Sequence, residues 1–215
     1  MYTKIKKMGY DNFKKIRQIK AKFGTPFVSV ELFAKADISP IQPSEWLTIS
    51  LKRAYSSPPT NEKSKSERLV SPILLEILDK YQDQIAFFSG EEVNISAEDD
   101  LAGPCDFFFA LTPPSLLLEA PIFSIAEAKD EDLDWGIAQC SAQLYAANLF
   151  NLQEGKQLPI LYGCATTGTE WVFIKYENNM FYIDKKPKTD LPQVLGTLHW
   201  IIQFFIDNYL GKMGV

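Results

Sequence analysis

Two short apolar segments, each with a carboxylate at one end, constrain this chain most. The first is Pro104-Cys105-Asp106-Phe107-Phe108-Phe109-Ala110 and the second is Ile122-Phe123-Ser124-Ile125-Ala126-Glu127-Ala128-Lys129. Aromatic and β-branched residues at this density suit strands. Thr112-Pro113-Pro114-Ser115, between them, is a turn signal. Folded back about Leu116, the two strands set Asp106 opposite Glu127. Side chains alternate faces along a strand, so Glu127 and Lys129 share a face with Ile125, and Asp106 shares one with Phe108 and Ala110. Two carboxylates and an amine therefore converge at one end of a hairpin. Ionisable groups in apolar strands are costly unless they are paired or bind a metal. An Asp and a Glu one strand apart make a hard oxygen site suited to Mg2+. A neighbouring Lys can offset developing negative charge. The plain alternative is an exposed strand end carrying a Glu–Lys pair.

Asp106 followed after a spacer by Glu127-Ala128-Lys129 resembles the motif of the PD-(D/E)XK nuclease superfamily, the restriction-endonuclease-like fold. Cys105 separates Pro104 from Asp106, which departs from the Pro-Asp pair of that motif. The resemblance covers about residues 66–176. It implies an α/β core with a central mixed β-sheet flanked by helices, Mg2+ or Mn2+ as cofactor, and hydrolysis of phosphodiester bonds in nucleic acid, DNA first. It implies metal ligation by Asp106, Glu127, the backbone carbonyl of Ala128 and Glu67. It implies catalytic roles for Asp106, Glu127, Lys129 and Gln139. Glu67 enters because Glu67-Arg68-Leu69-Val70-Ser71-Pro72-Ile73-Leu74 resembles the helix that opens the core in restriction-type members. Its alternative is a favourable acid at a helix N-terminus. Gln139 is the first candidate, and Gln143 the second, for the Gln that positions water or phosphate in that superfamily; the alternative is two exposed glutamines with good helix propensity. The competing function is a catalytically inactive nuclease-like fold that binds nucleic acid or protein.

Composition narrows the remaining classes. The chain has 215 residues, 46% hydrophobic and 23% charged, as in an ordinary globular protein. No apolar run reaches membrane-spanning length, and no apolar segment follows the first lysines as a secretory signal would, so a cytoplasmic location and no membrane partner are expected. Three scattered cysteines give no disulfide framework. One histidine and no metal-type Cys spacing make zinc a poor expectation. A net charge of −5 argues against a generic nucleic-acid binder. Residues 1–22 nevertheless carry eight Lys or Arg and one acid. Lys14, Lys15 and Arg17 are the expected phosphate contacts in this arm, with a solvated helix face as the alternative. A homodimer is compatible with the chain.

The expected order follows from periodicity and punctuation. Residues 10–23 read as a helix ended by Gly24-Thr25-Pro26. Phe27 to Phe33 reads as extended, and Ser44 caps a helix through about Ala54. Residues 56–66 read as a loop. The organisation is thus a helical extension over 1–55 packed on the core, a loop over 56–65 and a core over 66–215. A helix is expected from about Glu67 to Tyr81, with Pro72 kinking or starting it. Ile85 to Phe88 and Val93 to Ile95 read as a strand or hairpin about Gly90. A helix from about Asp134 to Leu152 carries an apolar stripe through Trp135, Ala138, Ala142, Tyr145 and Leu149. Pro159 to Ala165, Glu170 to Tyr176 and Met180 to Asp184 read as strands, with Asn178-Asn179 as a turn. Asp190 caps a last helix, and His199 within it is read as structural.

Overall fold

The computed structural model describes residues 9–212. In chain order it has a 3-10 turn at Tyr10–Asn12, α1 (Ile16–Phe23), β1 (Phe27–Val30), α2 (Glu45–Ser56), α3 (Glu62–Lys65), a π-helical turn at Ser66–Val70 and α4 (Ser71–Leu78). There follow β2 (Ala86–Ser89), β3 (Phe107–Ala110), β4 (Ile122–Ala128), α5 (Leu133–Gln153), β5 (Ile160–Thr166), β6 (Trp171–Glu177), β7 (Met180–Asp184) and α6 (Leu191–Tyr209). The protein is α/β: seven strands form one mixed, open sheet in the order β1-β7-β6-β5-β4-β3-β2. β4 lies inside the sheet, antiparallel to β3 and parallel to β5. All seven of its residues are buried, so any ionisable side chain there has left water.

The β3–β4 register is the one that the two apolar segments imply. Phe107 faces Ala126 and Phe108 faces Ile125, which carries Asp106 to the level of Glu127. The register then shifts: Phe109 faces Ser124 while Ala110 faces Ile122, leaving Phe123 as the extra residue of a bulge. Phe123 packs on Phe205 of α6, with ring centroids 4.7 Å apart. On the opposite face Asn151 of α5 takes both backbone groups of Ile122, accepting from its N–H at 2.8 Å and donating to its carbonyl at 2.7 Å. Helices thus cover the sheet on both sides.

α5 differs from its expected stripe. Gly136, Ala138, Gln139, Cys140, Ser141, Ala142, Gln143, Leu144, Ala146 and Ala147 are all buried. The helix lies against β4, β5 and β6 and also packs on α1, so most of its circumference is covered. Gly163 on β5 is where the helix comes closest: a Cβ there would sit 2.7 Å from Cys140 Sγ and 3.1 Å from the Ile125 carbonyl oxygen. Gly163→Ala should therefore destabilise the fold by about 1–3 kcal/mol through overpacking. A denaturant midpoint equal to that of wild type would contradict this close approach.

Three further expectations need correction. The helix read over 10–23 is interrupted: the 3-10 turn ends at Asn12, and α1 begins at Ile16 with Lys15 as its cap. Residues 9–55 are more than a helical extension, since β1 pairs in parallel with β7, and Tyr10, Phe13, Ile19, Leu47 and Leu51 belong to the same core as the sheet. The loop read over 56–65 contains α3, begun by Asn61, whose side chain accepts from the Ser64 N–H at 2.9 Å. The chain stays helical from Glu62 to Leu78 through the π turn, where the Ser71 N–H reaches back to the Ser66 carbonyl. Pro72 follows at once. Its ring would strike the carbonyl four residues earlier in a regular α-helix, and the wider turn relieves that clash.

Val93–Ile95 forms no strand but folds back irregularly, with the Val93 N–H bonded to Gly103 and the Ile95 N–H to Leu101. Asn178 and Asn179 both adopt left-handed φ, 50° and 56°, as a tight hairpin turn requires. His199 Nδ1 lies 3.1 Å from the Tyr81 hydroxyl, a hydrogen bond between α6 and the turn that follows α4. No helix among the described residues is long and apolar enough to cross a membrane.

Candidate active site

The end of the sheet where β3 begins and β4 ends carries the ionisable residues. Asp106 precedes β3, and its Oδ2 accepts from the Ala128 N–H at 2.8 Å, a side-chain bond in line with the strand ladder. Glu127 is 1% exposed. Its Oε2 accepts from Gln143 Nε2 at 2.8 Å. Its Oε1 lies 2.7 Å from Lys129 Nζ as an ion pair. The Lys129 side chain is only 4% exposed and also touches the Glu62 carboxylate at 3.4 Å. Gly136 in the first turn of α5 makes room for this lysine: a Cβ there would lie 3.0 Å from Lys129 Cγ. The Trp135 ring lies 5.2 Å from the Lys129 ammonium, close enough to favour its charge.

These groups line one cleft of about 310 Å³, bordered by Asp11, Glu62, Asp106, Glu127, Lys129 and Gln139. Burial pushes Glu127 up to about 8, helped by the charge of Asp106 and opposed by Lys129 and Gln143. Burial also raises Asp106, while the Ala128 N–H and Lys129 pull it down. Burial alone would lower Lys129, but Glu127, then Glu62 and Asp106, outweigh it and raise it. A buried and a half-buried carboxylate thus share one ammonium, and near neutrality the surplus negative charge calls for a proton or a cation.

Unmet hydrogen-bonding capacity gathers at the same place. Of the buried side-chain atoms without a hydrogen-bond partner, Gln139 Oε1, Gln143 Oε1 and Trp135 Nε1 belong to this neighbourhood. Two of the three are oxygens, the kind of donor that a hard cation or bound water takes. Among the described residues no three His, Cys, Asp or Glu are gathered closely enough to cage a metal. Mg2+ does not need such a cage, since it keeps several waters and is held by one or two carboxylates together with substrate phosphates. Asp106 and Glu127, with Gln139 Oε1 beside them, fit that description.

Of the residues expected from sequence, Asp106, Glu127, Lys129 and Gln139 border this one cleft. Ala128 contributes its backbone N–H to Asp106. Glu67 is not brought here: its side chain is 62% exposed and lies 3.8 Å from Lys63 on the outside of the helix. The correction is one of phase, because the helix starts at Glu62 and that residue meets the cleft instead. The two glutamines are buried rather than exposed. Gln143 is the direct partner of Glu127, and Gln139 faces the cleft. Glu62 and Asp11 were not expected at the site. The Asn61 cap followed by an acid was the available signal for Glu62, and none marked Asp11.

The basic arm is partly tied down. Lys15 pairs with Asp134 at 3.0 Å, and Lys14 Nζ lies 4.9 Å from the Trp135 ring, beside the cleft. Arg17 is exposed. Lys4, Lys6 and Lys7 lie outside the described residues. Tyr10, Phe13 and Ile19 are core residues, so residues 1–22 cannot be treated as a removable arm. No family model matches the chain, and no curated protein matches it.

Proposed function

We propose that this protein is a divalent-metal-dependent phosphodiesterase acting on nucleic acid, DNA first, built on a restriction-endonuclease-like core. The observation that carries the reading is a buried glutamate, Glu127, and a half-buried aspartate, Asp106, bordering one cleft with the Lys129 ammonium between Glu127 and Glu62. A purely structural sheet end has no need of a glutamate that is 1% exposed and raised to about 8. Perturbed carboxylates in a cleft are the usual mark of a working site.

Asp106 and Glu127 would hold Mg2+ or Mn2+, with Ala128 supplying backbone support to Asp106. Such an ion supplies Lewis acidity at the scissile phosphate and lowers the pKa of a water molecule. Lys129 would set positive charge against the oxygens on which negative charge grows during attack. Gln139 Oε1 would accept a hydrogen bond from the attacking water and orient it. Gln143 fixes Glu127 from behind at 2.8 Å, holding its other oxygen toward the cleft. Lys14, over the same Trp135 ring as Lys129, and its neighbour Lys15 would meet backbone phosphates without reading sequence.

The test is cleavage of supercoiled plasmid, single-stranded DNA and RNA with Mg2+ or Mn2+, with an Asp106→Asn preparation as control for contaminating nuclease. Cleavage that stops with chelator, returns with added metal and is missing from the control is the expected result. No cleavage of any of these substrates with either metal would contradict the reading.

A further inference from the structure

Resting on that reading, we infer that Glu62 is a positioning residue: it is the second acceptor for the Lys129 ammonium and receives it when a divalent ion takes Glu127. Lys129 Nζ sits 2.7 Å from Glu127 Oε1, so the ammonium occupies the oxygen that an ion would need. Binding an ion at Glu127 therefore requires Lys129 to let go. A buried ammonium released without a partner is costly. The only other carboxylate within ion-pair distance of it among the described residues is Glu62, at 3.4 Å. The longer contact is the one poised to tighten.

The surrounding chain suits this role. Glu62 opens α3, a single helical turn in which no residue is buried, so little apolar packing fixes its position. Lys65, at the other end of α3, anchors the segment to the strand exit: its Nζ lies 2.6 Å from both the carbonyl and the carboxylate of Asp130, the residue after Lys129. The π turn at Ser66–Val70 adjoins α3 and gives the helix a local departure from regular geometry. Glu62 is thus held near Lys129 while keeping freedom to close a short distance. Its carboxylate is 47% exposed, so its direct attraction for an ion at Glu127 is weakened by solvent. Its influence on metal binding then passes through Lys129.

The experiment is calorimetric titration of Mn2+ into the full chain without nucleic acid, using wild type, Glu62→Gln, Glu62→Asp, Lys129→Met and the Glu62→Gln/Lys129→Met double variant. Outer partners of a metal site are worth about 10–100-fold in affinity, and Glu62→Gln should weaken Mn2+ about tenfold. Glu62→Asp should recover most of the loss. In the Lys129→Met background the Glu62→Gln change should have no further effect, because the group it positions is gone. Wild-type affinity in Glu62→Gln would overturn the inference. So would an equal loss in both backgrounds, which would make Glu62 a direct ligand. If wild type itself binds no Mn2+, the metal-site reading fails and takes this inference with it. If wild type binds and only the Glu62 effect is missing, the metal-site reading stands.

Discussion

Replacing Asp106 with asparagine should lower metal-dependent cleavage by about a thousandfold or more, equivalent to roughly 4 kcal/mol of lost transition-state stabilisation. The same variant should be at least as stable as wild type when metal-free. Both effects follow from one cause. Asp106 is a charge that an ion would use and that the metal-free protein has to tolerate. Its charge is the second cause of the rise of Glu127 from 4.5 to about 8, after burial itself. A carboxyl raised on folding binds a proton that the unfolded chain releases. Its stability contribution is therefore full below about 4.5 and is lost as pH rises through about 8. Asp106→Asn lowers the folded value of Glu127 and flattens that loss, so its metal-free Tm should exceed that of wild type most clearly at the alkaline end of this window. The asparagine Oδ1 can still accept from the Ala128 N–H, so the strand pairing survives. Added Mg2+ should reverse the order. At an ion concentration a hundred times Kd, wild type should gain about 2.7 kcal/mol, or roughly 5–10 °C for a chain of this size. The variant should gain nothing. Thermal scans across pH, with and without Mg2+, check both halves. A variant less stable than wild type at every pH and still stabilised by Mg2+ would contradict them.

Lys129→Met should reduce cleavage by about 10²–10³, the usual cost of removing a charge that stabilises the transition state. Methionine suits this position because the lysine is 4% exposed and its stem fills the space left by Gly136. Alanine would add a cavity to the loss of charge and confuse the two. Glu127 loses its ammonium in the variant and takes up a proton more readily, which limits the cost of an unpaired buried charge. At a pH high enough to ionise Glu127, Mn2+ binding should be as tight as in wild type or tighter, since a like charge has left. Slower cleavage with undiminished metal affinity separates a catalytic lysine from one that only neutralises Glu127. Equal cleavage by wild type and variant would remove Lys129 from the chemistry.

The site was legible where it depends on strand alternation and register. Two Phe- and Ile-rich segments with a turn signal between them were enough to set Asp106 beside Glu127, because Phe107 and Phe108 pair with Ala126 and Ile125 without slippage at that end. The bulge at Phe123 lies beyond the carboxylates and leaves their alignment untouched. Caps were equally readable: Ser44 and Asp190 each accept from a first-turn N–H. What could not be read was burial imposed by a second layer. α5 has small residues on several faces because β-strands press on one side and α1 on another, so periodicity does not reveal that Gln139 and Gln143 are inside. Ile19 was obscured in the same way by the lysines around it. Glu62 escaped notice because a four-residue helix is too short to show a period and sits in a stretch rich in Ser, Pro and Lys.

The metal site is the claim on which the rest depends, and calorimetric titration of Mn2+ into metal-free wild type and Asp106→Asn at pH ~8, where Glu127 can ionise, tests it most directly. Saturable heat in wild type and none in Asp106→Asn over the same concentration range is the predicted result. Matching titrations of the two proteins, or no binding by wild type, would contradict it.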